Sequence, residues 1–397
     1  MSAASGALPY WRLSGFYLLY FASIGVLLPY WGPYLAGQGF SAAQIGELLG
    51  LVAATRLIAP YLWGWLADRS GRHLGMARLG CLLGALGFVG VFFAEGYVGM
   101  ALAMAAFSFF WNAALPQFEA VTFAHLGGAE HRYSRIRLWG SLGFIATVTA
   151  LGALLDARGA QILPLAMFAL LLLLWLESLW VPEPPAAAAH DPAAPGLWAV
   201  LARREVRVLL AAVFLMQLSH GPYYSFFSLY LQDLGYSKTA TGLLWTAGVV
   251  AEVGVFLLLP RLVPRIGLPR LLLASLLLAA LRWLLLAAFA DHLWLLLPAQ
   301  ALHAATFGIY HAVAISLICR HFPGPLRARG QALYASLGFG GGVAAGSYLA
   351  GRLWESVSPQ AGFWAAALAA LLAAGLVGWG LLGWGLGRRG LAARGAD

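Results

Sequence analysis

Residues 242–259, GLLWTAGVVAEVGVFLLL, form an apolar run long enough to cross a bilayer, and it carries one charge, Glu252. A carboxylate at the centre of a spanning helix costs roughly 2.5–3.5 kcal/mol, so the group is there for function or as a neutral or ion-paired structural acid. The next two apolar runs supply Arg282 and then His303, Phe307, Tyr310 and His311, spaced i, i+4, i+7 and i+8 as on one helical face. An acid, an arginine and two histidines on three successive runs are the parts of a proton carrier. A buried glutamate holds a proton while its pKa is raised and gives it up when an arginine approaches. Histidine shares or relays that proton near neutral pH, although a histidine on an apolar helix is often only a hydrogen-bonded packing residue. Glu252 is therefore expected to carry the proton, Arg282 to reset it, and His303 to relay it or touch a substrate.

A second set lies earlier in the chain. In WNAALPQFEAVTF, Asn112 and Glu119 are seven residues apart and share a helical face, and Arg137 enters the following run at similar depth as a partner for Glu119. The alternative for Glu119 is simply to reach the membrane interface. Arg56 has no acid in its own run. It could pair with an acid elsewhere, or grip the carboxylate of an anionic substrate with its guanidinium fork. Aromatic side chains that could frame a ring are Tyr17, Tyr20 and Phe21, and the set His220, Tyr223, Tyr224 and Phe227 at i, i+3, i+4 and i+7. Such stripes also serve as packing or interfacial belts.

These residues need long apolar elements to hold them. At 61% hydrophobic and 10% charged, the 397-residue chain is too apolar for a soluble protein and reads as polytopic. Apolar runs near 10–34, 43–66, 76–94, 97–124, 138–156, 161–181, 206–231, 240–260, 270–290, 293–319, 330–351 and 362–386 predict twelve spanning helices. The first is too long for a signal peptide. Residues 182–205, beginning PEPPAAAAHDPAAPG, predict an extended cytoplasmic linker between halves 1–181 and 206–397. Of the 24 basic residues, nineteen fall on one side of the membrane and three (Arg158, Lys238, Arg352) on the other, with Arg56 and Arg282 inside spans. That asymmetry predicts both termini in the cytoplasm, explains the net charge of +9, and removes the case for nucleic acid. Cys81 and Cys319, far apart in apolar runs, give no disulfide framework or metal-ligand spacing, so no metal is expected. An offset of 196 residues aligns Tyr34-Leu35, Gly39-Phe40-Ser41 and Gly46 with Tyr230-Leu231, Gly235-Tyr236-Ser237 and Gly242, and it lays Arg56 on Glu252. A 6+6 repeat follows, the pattern of secondary transporters with a midplane site.

Residues 64–72, GWLADRSGR, resemble the loop signature between helices 2 and 3 of the major facilitator superfamily. In that loop Gly64 and Gly71 are expected to permit a tight reversal, Asp68 to cap or pair near the next helix, and Arg69 and Arg72 to hold the loop at the cytoplasmic surface. Residues 260–270 are its second-half counterpart, with Pro264 where Asp68 would be. RLWGSLGF (137–144), GVVAEV (248–253), the segment 220–224 and LRW (281–283) look like the 3-phenylpropionic acid transporter family, a proton-symporter branch related to the oligosaccharide symporters. The resemblance implies an all-α membrane protein of two pseudo-symmetric six-helix bundles. It implies a helix 4 acid meeting a helix 5 arginine in the substrate cavity (Glu119, Arg137), a proton-coupling cluster from helices 8, 9 and 10 (Glu252, Arg282, His303), and a conformational role for the loop.

The expected function is a proton-coupled importer of a small, aromatic carboxylate, working by alternating access in the bacterial inner membrane. The proton gradient serves in place of a cofactor, and a monomer is expected. Substrate contacts are expected from Arg56, Asn112, Glu119, Arg137, His220, Tyr223, Tyr224, Tyr20, Phe307 and Tyr310. A proton-driven exporter of an apolar or cationic compound would suit the same acids and aromatics. A non-transporting sensor or an enzyme would need a soluble domain, a nucleophile elbow, a metal site or a phosphate loop, and none is evident.

Overall fold

The computed structural model describes residues 8–184 and 196–382, and there the secondary structure is entirely helical. The long elements are α1 Tyr10–Gly37, α2 Ala42–Ser70, α3 His73–Phe93, α4 Gly96–Leu126, α5 Tyr133–Arg158, α6 Ala160–Trp180, α7 Arg204–Asp233, α8 Lys238–Ile266, α9 Leu268–Phe289, α10 Leu293–His321, α11 (327–356) and α12 Ala361–Leu381. Ten of these are long and apolar enough to cross a membrane; α7 and α11 fall short of that measure. In α7 the reason is its buried polar set, Gln217, Ser219, His220, Ser225 and Ser228, which lowers its hydropathy while facing other helices.

Several helices overrun their apolar stretches. α5 begins at Tyr133, ahead of the expected 138, and α8 runs to Ile266 through Pro260 and Pro264. A helix satisfies its own backbone, so nothing requires it to stop where the hydrocarbon does. Most of the 182–205 linker lies outside the described residues. Its last part is not extended, because Leu197–Leu201 forms a helical turn and α7 starts at Arg204.

α2, α10 and α11 are interrupted within their spans, α2 and α10 at residues expected to do chemistry. In α2 the α-helix stops at Ala54, Thr55–Leu57 form a tighter 3-10 turn, and the helix resumes at Ala59. Pro60 explains it: proline lacks an N–H, and its ring collides with the carbonyl four residues back, which is that of Arg56. The amide of Ile58 bonds instead to the Thr55 carbonyl at 3.2 Å. α10 widens into a π-turn at Ala304–Ile309 and α11 at Ser336–Gly342, whose sequence SLGFGGG offers little side-chain resistance to the wider turn.

By contacts the chain forms two compact units. One holds Met1–Phe40, Thr55–Ala189 and Ser237–Gly242; the other holds Ser41–Ala54, His190–Tyr236 and Leu243–Asp397. The first part of α2 thus groups with α11, and the first turn of α8 with α5. Lipid gives helices no hydrophobic reason to associate, so close backbone approach through small residues carries the packing. A Cβ on Gly46 would stand 2.5 Å from the Ser347 carbonyl oxygen, and one on Gly242 2.7 Å from that of Val148. Carboxylates fasten both helix starts. Asp156 accepts the Lys238 and Thr239 amides at 3.0 and 2.9 Å, and Glu355 accepts the Ala43 amide at 2.8 Å. Each satisfies orphan donors of a first turn and complements the helix dipole.

Candidate functional site

In the second unit, α8, α9 and α10 bring Glu252, Arg282 and His303 into one line. Arg282 is wholly buried. Its Nη1 lies 3.1 Å from His303 Nδ1 and donates to Thr306 Oγ1 at 3.1 Å, while Nη2 donates to Gln300 Oε1 at 3.4 Å. The Tyr223 hydroxyl donates to the same Gln300 oxygen at 2.9 Å. The guanidinium carbon sits 4.2 Å from the Tyr223 ring centre and 4.7 Å from that of Trp283. Burying a lone cation costs several kcal/mol even after relaxation. Charge-assisted hydrogen bonds of about 1.5–3 kcal/mol each, with aromatic faces worth about 2 kcal/mol when desolvated, are enough to hold it.

The arginine also fixes a proton. A guanidinium can only donate, so His303 Nδ1 must accept, and the neutral ring then carries its hydrogen on Nε2. That nitrogen faces Glu252, with Nε2 3.6 Å from Oε2, within ion-pair reach but longer than a hydrogen bond. The arrangement therefore presents a donor to the carboxylate.

The π-turn of α10 sorts the side chains that spacing alone had put on one face. His303, Phe307 and His311 stack with centroids 5.2 and 5.8 Å apart, and His311 Nδ1 lies 2.8 Å from the Tyr334 hydroxyl. Tyr310 is the exception. It is fully buried, with its hydroxyl 3.5 Å from the Val213 carbonyl, because the wider turn rotates it off that face. On α7, His220 is buried and turned onto its own helix, Nδ1 donating to the Met216 carbonyl at 2.9 Å. Tyr223 stacks between neighbours, 4.8 Å from Phe227 and 4.5 Å from Trp245, and Tyr224 lies 5.6 Å from His220.

The first unit holds the other set. Arg56, on the broken turn of α2, donates from Nε to Asn112 Oδ1 at 2.9 Å. Asn112 in turn donates to Thr55 Oγ1 at 2.8 Å. Asn112 is thus a ligand of Arg56. Glu119 accepts from the Tyr133 hydroxyl at 3.1 Å. Arg137 does not come within ion-pair distance of Glu119, although its charge still acts on that acid; its guanidinium lies over the Phe21 ring, 3.7 Å from its centre. Tyr20 is buried in a stack, 4.9 Å from Trp111 and 6.2 Å from Phe16, and Tyr17 donates to Thr122 Oγ1 at 3.2 Å.

The loop signature behaves partly as expected. Gly71, at φ 65°, makes the reversal alone, since Gly64 lies inside the helix Ala59–Ser70 and bends nothing. Asp68 pairs with His73, the first residue of α3, at 3.5 Å, and it caps nothing: Arg72 is the N-cap, without a side-chain bond. Arg69 lies 5.5 Å from the Trp65 ring. The counterpart at 260–270 is helical as far as Ile266, and Gly267, at φ 85°, makes its turn. Gln300 and Thr306, three residues either side of His303, and Tyr133, opening α5, belong with the polar clusters and were missed. The i±3 spacing around His303 could have pointed to the first two.

Interrupted apolar helices that bury arginines, acids and histidines at mid-span define a membrane transport protein, not an enzyme. The chain belongs to the MFS_1 like family, whose model matches residues 10–365. It is 32% identical over 362 residues to a probable 3-phenylpropionic acid transporter of Escherichia coli (strain K12), covering 90% of this chain and 94% of the relative. It is 30% identical over 344 residues to the maltose permease of Geobacillus stearothermophilus, covering 86% of each. Among solved structures it resembles the nucleoside transporter NupG at a TM-score of 0.80 with 18% identity, covering 93% of this chain and 98% of that one. It is therefore an integral membrane transporter of a small molecule. The relatives' names span an aromatic acid, a sugar and nucleosides, so fold and family do not choose among them.

Proposed function

We propose that the protein is a proton-coupled importer of a small aromatic carboxylate, of the 3-phenylpropionate kind, in a bacterial cytoplasmic membrane. It works as a monomer with both termini inside, by alternating access of the halves 1–181 and 206–397, and the proton gradient alone drives it. The observation that carries the reading is the Glu252–His303–Arg282 line, with Nε2 to Oε2 at 3.6 Å and Nη1 to Nδ1 at 3.1 Å.

Its chemistry follows from the fixed tautomer. While Arg282 occupies His303 Nδ1, the ring offers Nε2–H to Glu252, and an ionised carboxylate is the best acceptor for it. A neutral carboxyl offers only its carbonyl oxygen, a weaker acceptor. Protonating Glu252 therefore loosens its contact with His303, and restoring the contact expels the proton. That is the differential interaction a coupled cycle requires. Arg56 supplies the complementary charge for the substrate, and the partly exposed rings Tyr224 of α7 and Phe307 of α10 supply apolar surface for an aromatic body.

The test is uptake into vesicles with simultaneous external pH recording. Wild type is expected to alkalinise the outside when 3-phenylpropionate is added, and Glu252→Gln to abolish that signal while leaving downhill exchange of the substrate. Unchanged coupling in Glu252→Gln would remove Glu252 as the carrier. Acidification of the lumen during expulsion would instead mark an exporter.

A further inference from the structure

The two mid-span arginines are in opposite conditions. Arg282 is wholly buried, with both terminal nitrogens engaged by His303, Thr306 and Gln300. Arg56 is half-buried and its side chain is engaged through Nε, by Asn112 Oδ1 at 2.9 Å. Among the described residues no carboxylate lies within ion-pair distance of it. Among those residues its two terminal nitrogens, the fork that matches a carboxylate, make no hydrogen bond.

Asn112 is built into this arrangement with a definite orientation. It is 3% exposed. Arginine only donates, so the amide oxygen of Asn112 must face it and the amide nitrogen must face away, to Thr55 Oγ1 at 2.8 Å. Thr55 spends its one hydroxyl hydrogen on Ser108 Oγ at 3.2 Å, and Ser108 spends its own on the Ala105 carbonyl at 3.4 Å. The chain of donors runs one way, from Arg56 and Asn112 down to the α4 backbone. It reaches Arg56 only because Pro60 breaks α2 at that turn. The arrangement holds the guanidinium by its Nε edge and adds no negative charge.

We propose that Asn112 is the positioning residue that sets charge selectivity: it orients Arg56 without neutralising it, so that the fork takes the carboxylate of the transported molecule and uncharged analogues are disfavoured. The proposal rests on the reading of the protein as a carboxylate importer. It also departs from that reading, since Asn112 acts through Arg56 and need not touch the substrate. An aspartate in the same place would keep the shape and the contact to Nε but would cancel the cation. The amide is therefore required for its charge as well as its geometry.

Asn112→Asp separates these roles. Proteoliposomes are assayed for KM and maximal rate with 3-phenylpropionate and with the uncharged 3-phenylpropionamide, at matched thermal stability. Wild type is expected to prefer the anion at least tenfold. In Asn112→Asp the anion's KM should rise at least tenfold while the amide's stays within twofold, and Arg56→Gln should reproduce this pattern. Wild-type KM for the anion in Asn112→Asp would overturn the proposal. So would an equal loss for both compounds, which would make Asn112 only a brace between α2 and α4. If neither compound is carried with protons, the importer reading fails separately. Equilibrium binding to the purified protein then decides: an anion preference that Asn112→Asp abolishes supports the assignment, and wild-type binding without preference, or a preference that survives the substitution, overturns it.

Discussion

His303 was expected to relay a proton or to touch substrate, and its geometry assigns it something narrower. With Nδ1 committed to Arg282 at 3.1 Å, the ring cannot pick up a proton there without losing the arginine. It behaves as a rigid connector with an acceptor on one side and a donor on the other. A glutamine side chain offers the same pair of functions, so His303→Gln should retain proton-coupled uptake within about tenfold of wild type. His303→Ala, which leaves Arg282 with one donor unmet, should lose about 10–100-fold, the worth of a charged hydrogen bond. Initial rates with a fixed pH gradient distinguish the two. Equal loss in both variants would return His303 to the role of a titrating relay. Glu119 offers a parallel case, because its recorded partner is Tyr133 at 3.1 Å and not an arginine. Tyr133→Phe leaves the half-buried acid without that donor and should lower the rate of proton-coupled uptake several-fold; an unchanged rate would exclude this contact from coupling.

At the scale of elements, the breaks matter more than the helices. α2 is interrupted at Thr55–Leu57 because Pro60 excludes the carbonyl of Arg56 from a normal turn, and that interruption presents Arg56 to Asn112. Pro60→Ala removes the collision and lets the α-helix run through. The variant should be slightly more stable; Pro60 stands in the first turn of the resumed helix, where proline is tolerated, so the gain is well below the cost of an interior proline. It should also bind the carboxylate worse, because a continuous helix turns Arg56 away from Asn112. Thermal midpoint and anion KM measured together check this: a rise in both is expected, and a stabilised variant with wild-type KM would show that the break does not position Arg56. The example also marks what was readable beforehand. Long apolar runs reveal helices because hydrocarbon leaves the backbone no other solution. The residue types at Glu252, Arg282 and His303 stand out because charge in hydrocarbon is costly. The π-turns of α10 and α11 leave no such trace, as their residues are as apolar as the rest, so Tyr310 was placed on a face it does not occupy. Partners across helices, such as Thr306 for Arg282 or Phe21 for Arg137, depend on rotation about each helix axis. A long apolar run with a weak polar stripe does not encode that rotation.

For the whole molecule, the side on which the arginines lie predicts its orientation in the membrane. Nineteen basic residues stand against three, and two of the three on the sparse side also tie helix starts or neighbouring helices through acids. Lys238 lies 3.9 Å from Asp156, and Arg352 lies against Glu47 at 2.6 Å. The rule counts basic residues and not net charge, so the nineteen-to-three split itself predicts which side is cytoplasmic. Labelling checks the assignment. Cys319 is partly exposed, so Cys81 and Cys319 are first replaced by serine. A single cysteine is then placed at Gln38, beyond the end of α1, or at His131, between α4 and α5; both positions are exposed. A membrane-impermeant maleimide added to intact cells should label Gln38→Cys at once and His131→Cys only after permeabilisation. The reverse pattern would invert the protein. Protons entering down their gradient would then meet the Glu252 cluster from the opposite face, while import or export would still follow from whether substrate moves with the proton or against it.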